Sequence, residues 1–139
     1  MKWLAAALAL GASTACSTGE SVFGVPQYSA AIPFDVVLAP GEQIMVDSTF
    51  RVAFEGVKED SRCPIDVICV WQGNAAVALE LTAGEGPTLP FTVNTGIEPD
   101  SAVHAGYFVQ LLEVNPAPVS TSRIDRKRYR VKLRIARRP

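Results

Sequence analysis

Three cysteines and a single histidine are the residues of this 139-residue sequence best suited to do chemistry. Cys63 and Cys69 lie in the stretch "DSRCPIDVICVWQGNA" with five residues between them, and Asp60 and Asp66 stand on either side of the first. Thiols so placed can hold a metal, run a redox cycle or close into a disulfide. Zinc takes about four ligands, and only His104 is available to join the thiols as a nitrogen donor. A thioredoxin-type centre separates its cysteines by about two residues, far fewer than here. Glu59, Asp60 and Asp66 lack the alternating oxygen ligands and central glycine of a calcium loop, and read as a solvated acidic segment.

His104 sits in "SAVHAGY", with Asp100 and Ser101 close in sequence. Any Ser-His-Asp or Cys-His catalyst in this chain must use it. No serine lies in a G-x-S-x-G elbow, and P-loop, dinucleotide and metalloprotease signatures are missing. The acids are scattered, and none forms an evident glycosidase pair. His104 therefore reads as a strand-edge residue, and the sequence assigns no catalytic residue, metal or cofactor.

Which chemistry the thiols perform depends on the compartment, and the N-terminus addresses that. It opens "MKWLAAALALGASTAC": Lys2 precedes an uncharged run from Trp3 to Ala12, and small residues lead to Cys16. That is the layout of a secretory signal. The run falls short of the roughly 20 apolar residues that cross a bilayer core, and no later run comes nearer. Residues 1–15 are read as a signal peptide and the chain as exported. "ASTAC" also resembles the lipobox of bacterial lipoproteins, in which the cysteine takes a thioether-linked diacylglycerol and becomes the first mature residue. Ala15 and Thr14 fit it, whereas Ser13 stands where the family places an aliphatic residue, and an ordinary secretory cut would fall at the same bond. The resemblance implies lipidation of Cys16, with a mature protein tethered to the membrane. Ser17 after the cysteine, in place of an acid, implies the outer membrane facing the periplasm.

With Cys16 assigned to lipid, Cys63 and Cys69 remain as a pair in an oxidising compartment, where such pairs close. The thiols read as a staple. The loop is short, so its entropic contribution falls below the roughly 3 kcal/mol of a loop of about 15 residues. Pro64 stiffens it further.

The elements that position this loop follow from periodicity. Residues 16–31 are small and polar with no sustained period, which suits a flexible tether. From 32 to 139 the dominant period is two. "FDVVL" and "QIMVD" flank the turn "APGE"; Phe50, Val52 and Phe54 share a face; so do Ala75, Val77, Leu79 and Leu81, and Leu89, Phe91 and Val93. "GYFVQLLEV" is apolar on both sides, as a central strand would be, and Tyr129, Val131, Leu133 and Ile135 alternate inward. About seven short strands predict an all-β single domain: an antiparallel β-sandwich, Ig-like or Greek-key, with a small barrel as the alternative.

The run "DSRCPIDVICVWQGNAAVALEL", with "GYFVQLLEVNPAP" after it, resembles a domain of small bacterial secreted proteins and lipoproteins. Asp60, Ser61, Arg62, Cys63, Pro64, Val67, Cys69, Trp71 and Gly73 carry that resemblance. It covers roughly residues 32–136 and implies no particular activity. Read physically, the disulfide pins a crossover between strands, and Trp71 supplies an apolar body at the entry of the next strand. Gly73 permits a close approach. Arg62 can pair with Asp60 or Asp66, and Arg62, Trp71 and Asn74 are the candidate ligand residues of this region.

Charge is distributed unevenly. From Arg123 onward nine basic residues face Asp125 alone, whereas residues 17–122 hold three basic residues against thirteen acids. Alternation places Arg128, Arg130, Lys132 and Arg134 on one exposed face. They are expected to pair across the sheet with acids such as Glu80 and Glu113 or to protect an edge; the competing use is contact with an anionic envelope component or an acidic protein. The compartment excludes nucleic acid. The expected function is a non-catalytic binding or structural role in the cell envelope. The alternatives are a small hydrolase using His104 and an inhibitor of extracytoplasmic proteases.

Overall fold

The computed structural model describes Gln27–Tyr28 and residues 32–138. Among these, nine strands form two facing sheets: β1 (Gln27–Tyr28), β2 (Phe34–Leu38), β3 (Gln43–Val46), β4 (Phe50–Asp60), β5 (Ala75–Ala83), β6 (Thr88–Asn94), β7 (Ser101–His104), β8 (Tyr107–Asn115) and β9 (Arg130–Arg137). One sheet runs β1-β3-β4-β5-β6 and the other β2-β9-β8-β7. Every pairing is antiparallel except that of β1 with β3. The architecture is the expected β-sandwich, and the sheets do not close into a barrel. The segment read as a signal peptide and Cys16 lie outside the described residues. Within the segment read as a tether, Gln27 and Tyr28 align with Met45 and Val46 as a short strand.

The period-two patterns explain the core directly, because alternate side chains of a strand point to opposite faces. Phe50, Val52 and Phe54 of β4 and Val77, Leu79 and Leu81 of β5 are completely or almost completely buried. They meet Val109 of β8 and Val131, Leu133 and Ile135 of β9 from the facing sheet. Phe50 stacks on Tyr107 across the gap, with ring centroids 4.1 Å apart and planes nearly parallel.

The expectation for β8 needs correction. Tyr107, Val109, Leu111 and Val114 are buried, but Phe108 and Leu112 on its other side are not. Alternation from Tyr107, Val109 and Leu111 already points Phe108 and Leu112 away from the core, and the register shift between Leu111 and Glu113 returns Val114 to the core face. The disulfide does not pin a crossover either: β4 and β5 are hydrogen-bonded neighbours, and the cysteines lie in the loop of their hairpin.

That hairpin is the longest in the molecule. Its ladder continues past β4 and β5, with Ser61 donating to the Asn74 carbonyl and Cys63 to that of Gln72. Arg134, opposite the core face of β9, pairs with Asp35 on β2 instead. Replacing Leu133 by alanine should therefore lower the unfolding free energy by about 2–5 kcal/mol. Arg134→Gln should leave the urea midpoint nearly unchanged, so comparing the two curves tests which face of β9 carries the core.

Candidate functional site

The most elaborate local structure lies where the β4–β5 hairpin leaves the sandwich. Asp60 ends β4, and its carboxylate accepts bonds from Arg62 Nε at 2.8 Å and Arg62 Nη2 at 2.7 Å. The Arg62 backbone N–H and the Tyr129 hydroxyl, the latter at 2.9 Å, donate to the same carboxylate. Arg62 also donates to the carbonyls of Val114 and Pro116, at the end of β8. One nearly buried ion pair thus ties a strand of the first sheet to the end of the second. The bidentate geometry satisfies the guanidinium fork that a carboxylate fits best.

The electrostatics follow from this packing. Burial pushes the Asp60 carboxyl upward, but the bonds from Arg62 and Tyr129 outweigh it and hold it below the ordinary range. Burial, and then donation to Asp60, push the Tyr129 hydroxyl up to about 12.

Beyond this base, Cys63 and Cys69 form the disulfide, with Cα atoms 5.9 Å apart. Asp66 does not pair with Arg62. Its carboxylate accepts from the backbone N–H of Ser120 at 2.9 Å and from the Ser120 hydroxyl, and these bonds lower its pKa. Ile65 N–H donates to the Pro118 carbonyl, so segment 116–122 braces the loop from the side. Gly73 has φ +73°, and a Cβ there would meet the Ser61 carbonyl oxygen at 1.9 Å. The expected close approach at Gly73 is real. Gly96 packs equally tightly, with a Cβ there falling 2.0 Å from the Gly73 carbonyl oxygen.

The tip of this braced loop is apolar and open. Ile65, Val67, Ile68, Val70 and Trp71 have relative exposures of 72%, 44%, 103%, 105% and 56%. Trp71 stands ahead of β5, and its apolar body is half exposed. Asn74 is engaged inside the protein: its amide donates to Asn94 Oδ1 and its oxygen accepts from Gly96 N–H, both at 2.9 Å. Arg62, Trp71 and Asn74 share one loop, but the polar groups of Arg62 and Asn74 hold its base while Trp71 faces solvent.

The basic residues divide into two groups. Lys132 and Arg134 both reach Asp35, at 3.5 Å and 2.8 Å, and Arg134 holds that carboxyl below its usual range. Cross-strand pairing is thus present, with Asp35 as partner in place of the expected acids. Glu80 lies on β5 in the other sheet, and Glu113 is opposite Lys132 in register but bonds to Asn115. Arg128 belongs to a short 3-10 turn, Arg126–Arg128, before β9 begins, so it does not share the strand's face. Among the described residues Arg123, Arg126, Lys127, Arg128 and Arg130 form no ion pair.

His104 ends β7, its ring 6.3 Å from that of Phe50 and 6.2 Å from that of Phe91. Asp100 accepts from Gln110 instead, and among the described residues no hydrogen bond joins His104 to a serine or carboxylate. No three His, Cys, Asp or Glu side chains among these residues gather as a metal site. What sequence reasoning missed is the exposed tip. Its signal was there: four aliphatic residues and a tryptophan in and beside a disulfide loop too short to enclose them.

No family model, curated protein or solved structure matches the chain. The fold and site together define a β-sandwich with a stapled, internally braced hairpin loop.

The pH dependence of stability should report on the loop base. A carboxyl with a depressed pKa stabilises the fold above its unfolded value of about 4 and loses that contribution as pH falls. A tyrosine raised to about 12 contributes below about 10 and loses its share as pH rises toward 12. Urea midpoints across this range should fall at both ends. Asp60→Asn should cost about 3–5 kcal/mol at neutral pH, because it strands the Arg62 charge. Tyr129→Phe should remove much of the alkaline loss while keeping an acid one.

Proposed function

We propose that the protein is an extracytoplasmic lipoprotein, tethered through Cys16 to the envelope and facing the periplasm, whose β-sandwich works by binding and not by catalysis. The observation that carries this reading is the stapled loop: a rigid, hydrogen-bonded base presents five apolar side chains to solvent. A contiguous exposed apolar cluster marks an interaction surface, and a preformed loop loses little freedom when it is covered. The disulfide suits an oxidising compartment, in keeping with the export signal read from residues 1–15. The hydrolase reading would need a proton acceptor or nucleophile at His104, whose ring neighbours are Phe50 and Phe91.

Inhibition of extracytoplasmic proteases is the second reading. The same loop favours it, since a convex stapled segment suits a protease cleft. A fatty-acid analogue supplied during growth should label the wild-type protein at Cys16. Cys16→Ala should lose the label and leave the membrane fraction. An unlabelled wild type would overturn the lipoprotein reading.

A further inference from the structure

The stapled loop and the unpaired cations occur at the same end of the sandwich, and their pairing suggests what covers the tip. Ile68 and Val70 are as exposed as free side chains can be, and Ile65 and Trp71 flank them. The only charged residue from Pro64 to Gln72 is Asp66, whose carboxylate is turned onto Ser120. Segment 116–122, joined to the loop by that contact and by Ile65 to Pro118, leads into Arg123, Arg126, Lys127 and Arg128. Arg123 and Arg126 line an open cleft with Lys58, Glu59, Pro118 and Tyr129. Of the other acids nearby, Asp60 is held by Arg62, Glu55 shares a second cleft with Arg126, and Asp125 caps the short turn by accepting from Lys127 N–H.

Resting on the reading of this chain as an envelope binding domain, we infer that the stapled loop inserts into a bilayer surface carrying anionic phospholipid. The apolar tip enters the boundary between headgroups and acyl chains, and the arginines behind it meet the phosphates. A convex tip needs a partner that closes around it, and a fluid interface does so without a matching cleft. Tryptophan favours that depth, because its ring is apolar and its N–H can stay hydrated. Basic side chains at headgroup level gain from the negative surface potential.

The test uses the mature-length chain, residues 16–139 with Cys16→Ser, in which Trp71 is the single tryptophan. Its emission should move to shorter wavelength, and the protein should sediment, with vesicles of mixed phosphatidylcholine and phosphatidylglycerol. Ile68→Ser combined with Val70→Ser should weaken partitioning by about tenfold or more, since both changes remove apolar surface from the tip. Arg123→Gln with Arg126→Gln should weaken it only on the anionic vesicles, and added salt should do the same. Lys132→Gln with Arg134→Gln, two cations that both reach Asp35 and lie on β9 away from the loop's bracing segment, should leave it unchanged. An unshifted Trp71 with both anionic and neutral vesicles would overturn the inference, as would equal partitioning of the Ile68 and Val70 double variant. If vesicles fail but a photoreactive residue at position 68 cross-links an envelope protein, the lipid partner is wrong while the binding reading stands. If Trp71 shifts with vesicles but Cys16 carries no label, the insertion stands without the lipid tether.

Discussion

The arrangement at one end of this molecule depends on the contact between Asp60 and Arg62. A buried ion pair has to recover the cost of removing two charges from water, and good geometry alone rarely does so. Here the remaining capacity of both partners is used as well. Asp60 takes a further bond from the Tyr129 hydroxyl, and Arg62 donates to two carbonyls at the end of β8. The pair is local in sequence, but its other partners are more than fifty residues away. It converts the end of one hairpin into a joint between the two sheets. Without that joint the β4–β5 extension would be held mainly by its own ladder, the disulfide and the contact with segment 116–122.

This joint explains why the loop can be rigid while its tip stays uncovered. The polar groups of the base bond to one another or to backbone, so none requires the tip to fold back over it. The disulfide then closes a ring of six-residue separation, too small for its aliphatic side chains to pack together on the inside. The sandwich core is already complete beneath it, filled by the alternating residues of β4, β5, β8 and β9. The exposed apolar side chains are thus left with no intramolecular place to go. Their exposure follows from the geometry of a short stapled loop on a finished core.

Much of this was legible in the sequence, and the division is physical. Strand faces were readable because side-chain direction alternates with period two, and β9 is the clearest case: Tyr129, Val131, Leu133 and Ile135 all face inward as read. The disulfide was readable because closely spaced cysteines, behind what reads as an export signal and with no third ligand, have few other fates. What could not be read depended on register or on partners distant in the chain. The bulge in β8 put Val114 in the core where strict alternation would have put Glu113, and no propensity announces a one-residue shift. The choice of Asp35 over Glu80 as partner for Arg134 required knowing that β2 lies beside β9 and β5 in the other sheet. Trp71 was readable as an apolar body ahead of β5, but its exposure depended on where the loop stands relative to the sandwich.

The same sheet order gives the charge asymmetry its meaning. Nine basic residues at the C-terminal end look like one patch when read along the chain. In space they separate. Lys132 and Arg134 are spent on Asp35, and Arg137 reaches Asp47 at 2.6 Å near the opposite end of the sandwich, where its guanidinium also lies over the Tyr107 ring. Those cations serve the fold. The residues from Arg123 to Arg128 precede the strand and so escape the pairing that strand neighbours impose. They are carried by the segment that braces the stapled loop, which puts unpaired positive charge and unburied apolar surface on adjoining parts of one end. Cross-strand pairing and unpaired surface charge are therefore both present among the described residues of this basic tail, divided close to the point where β9 begins.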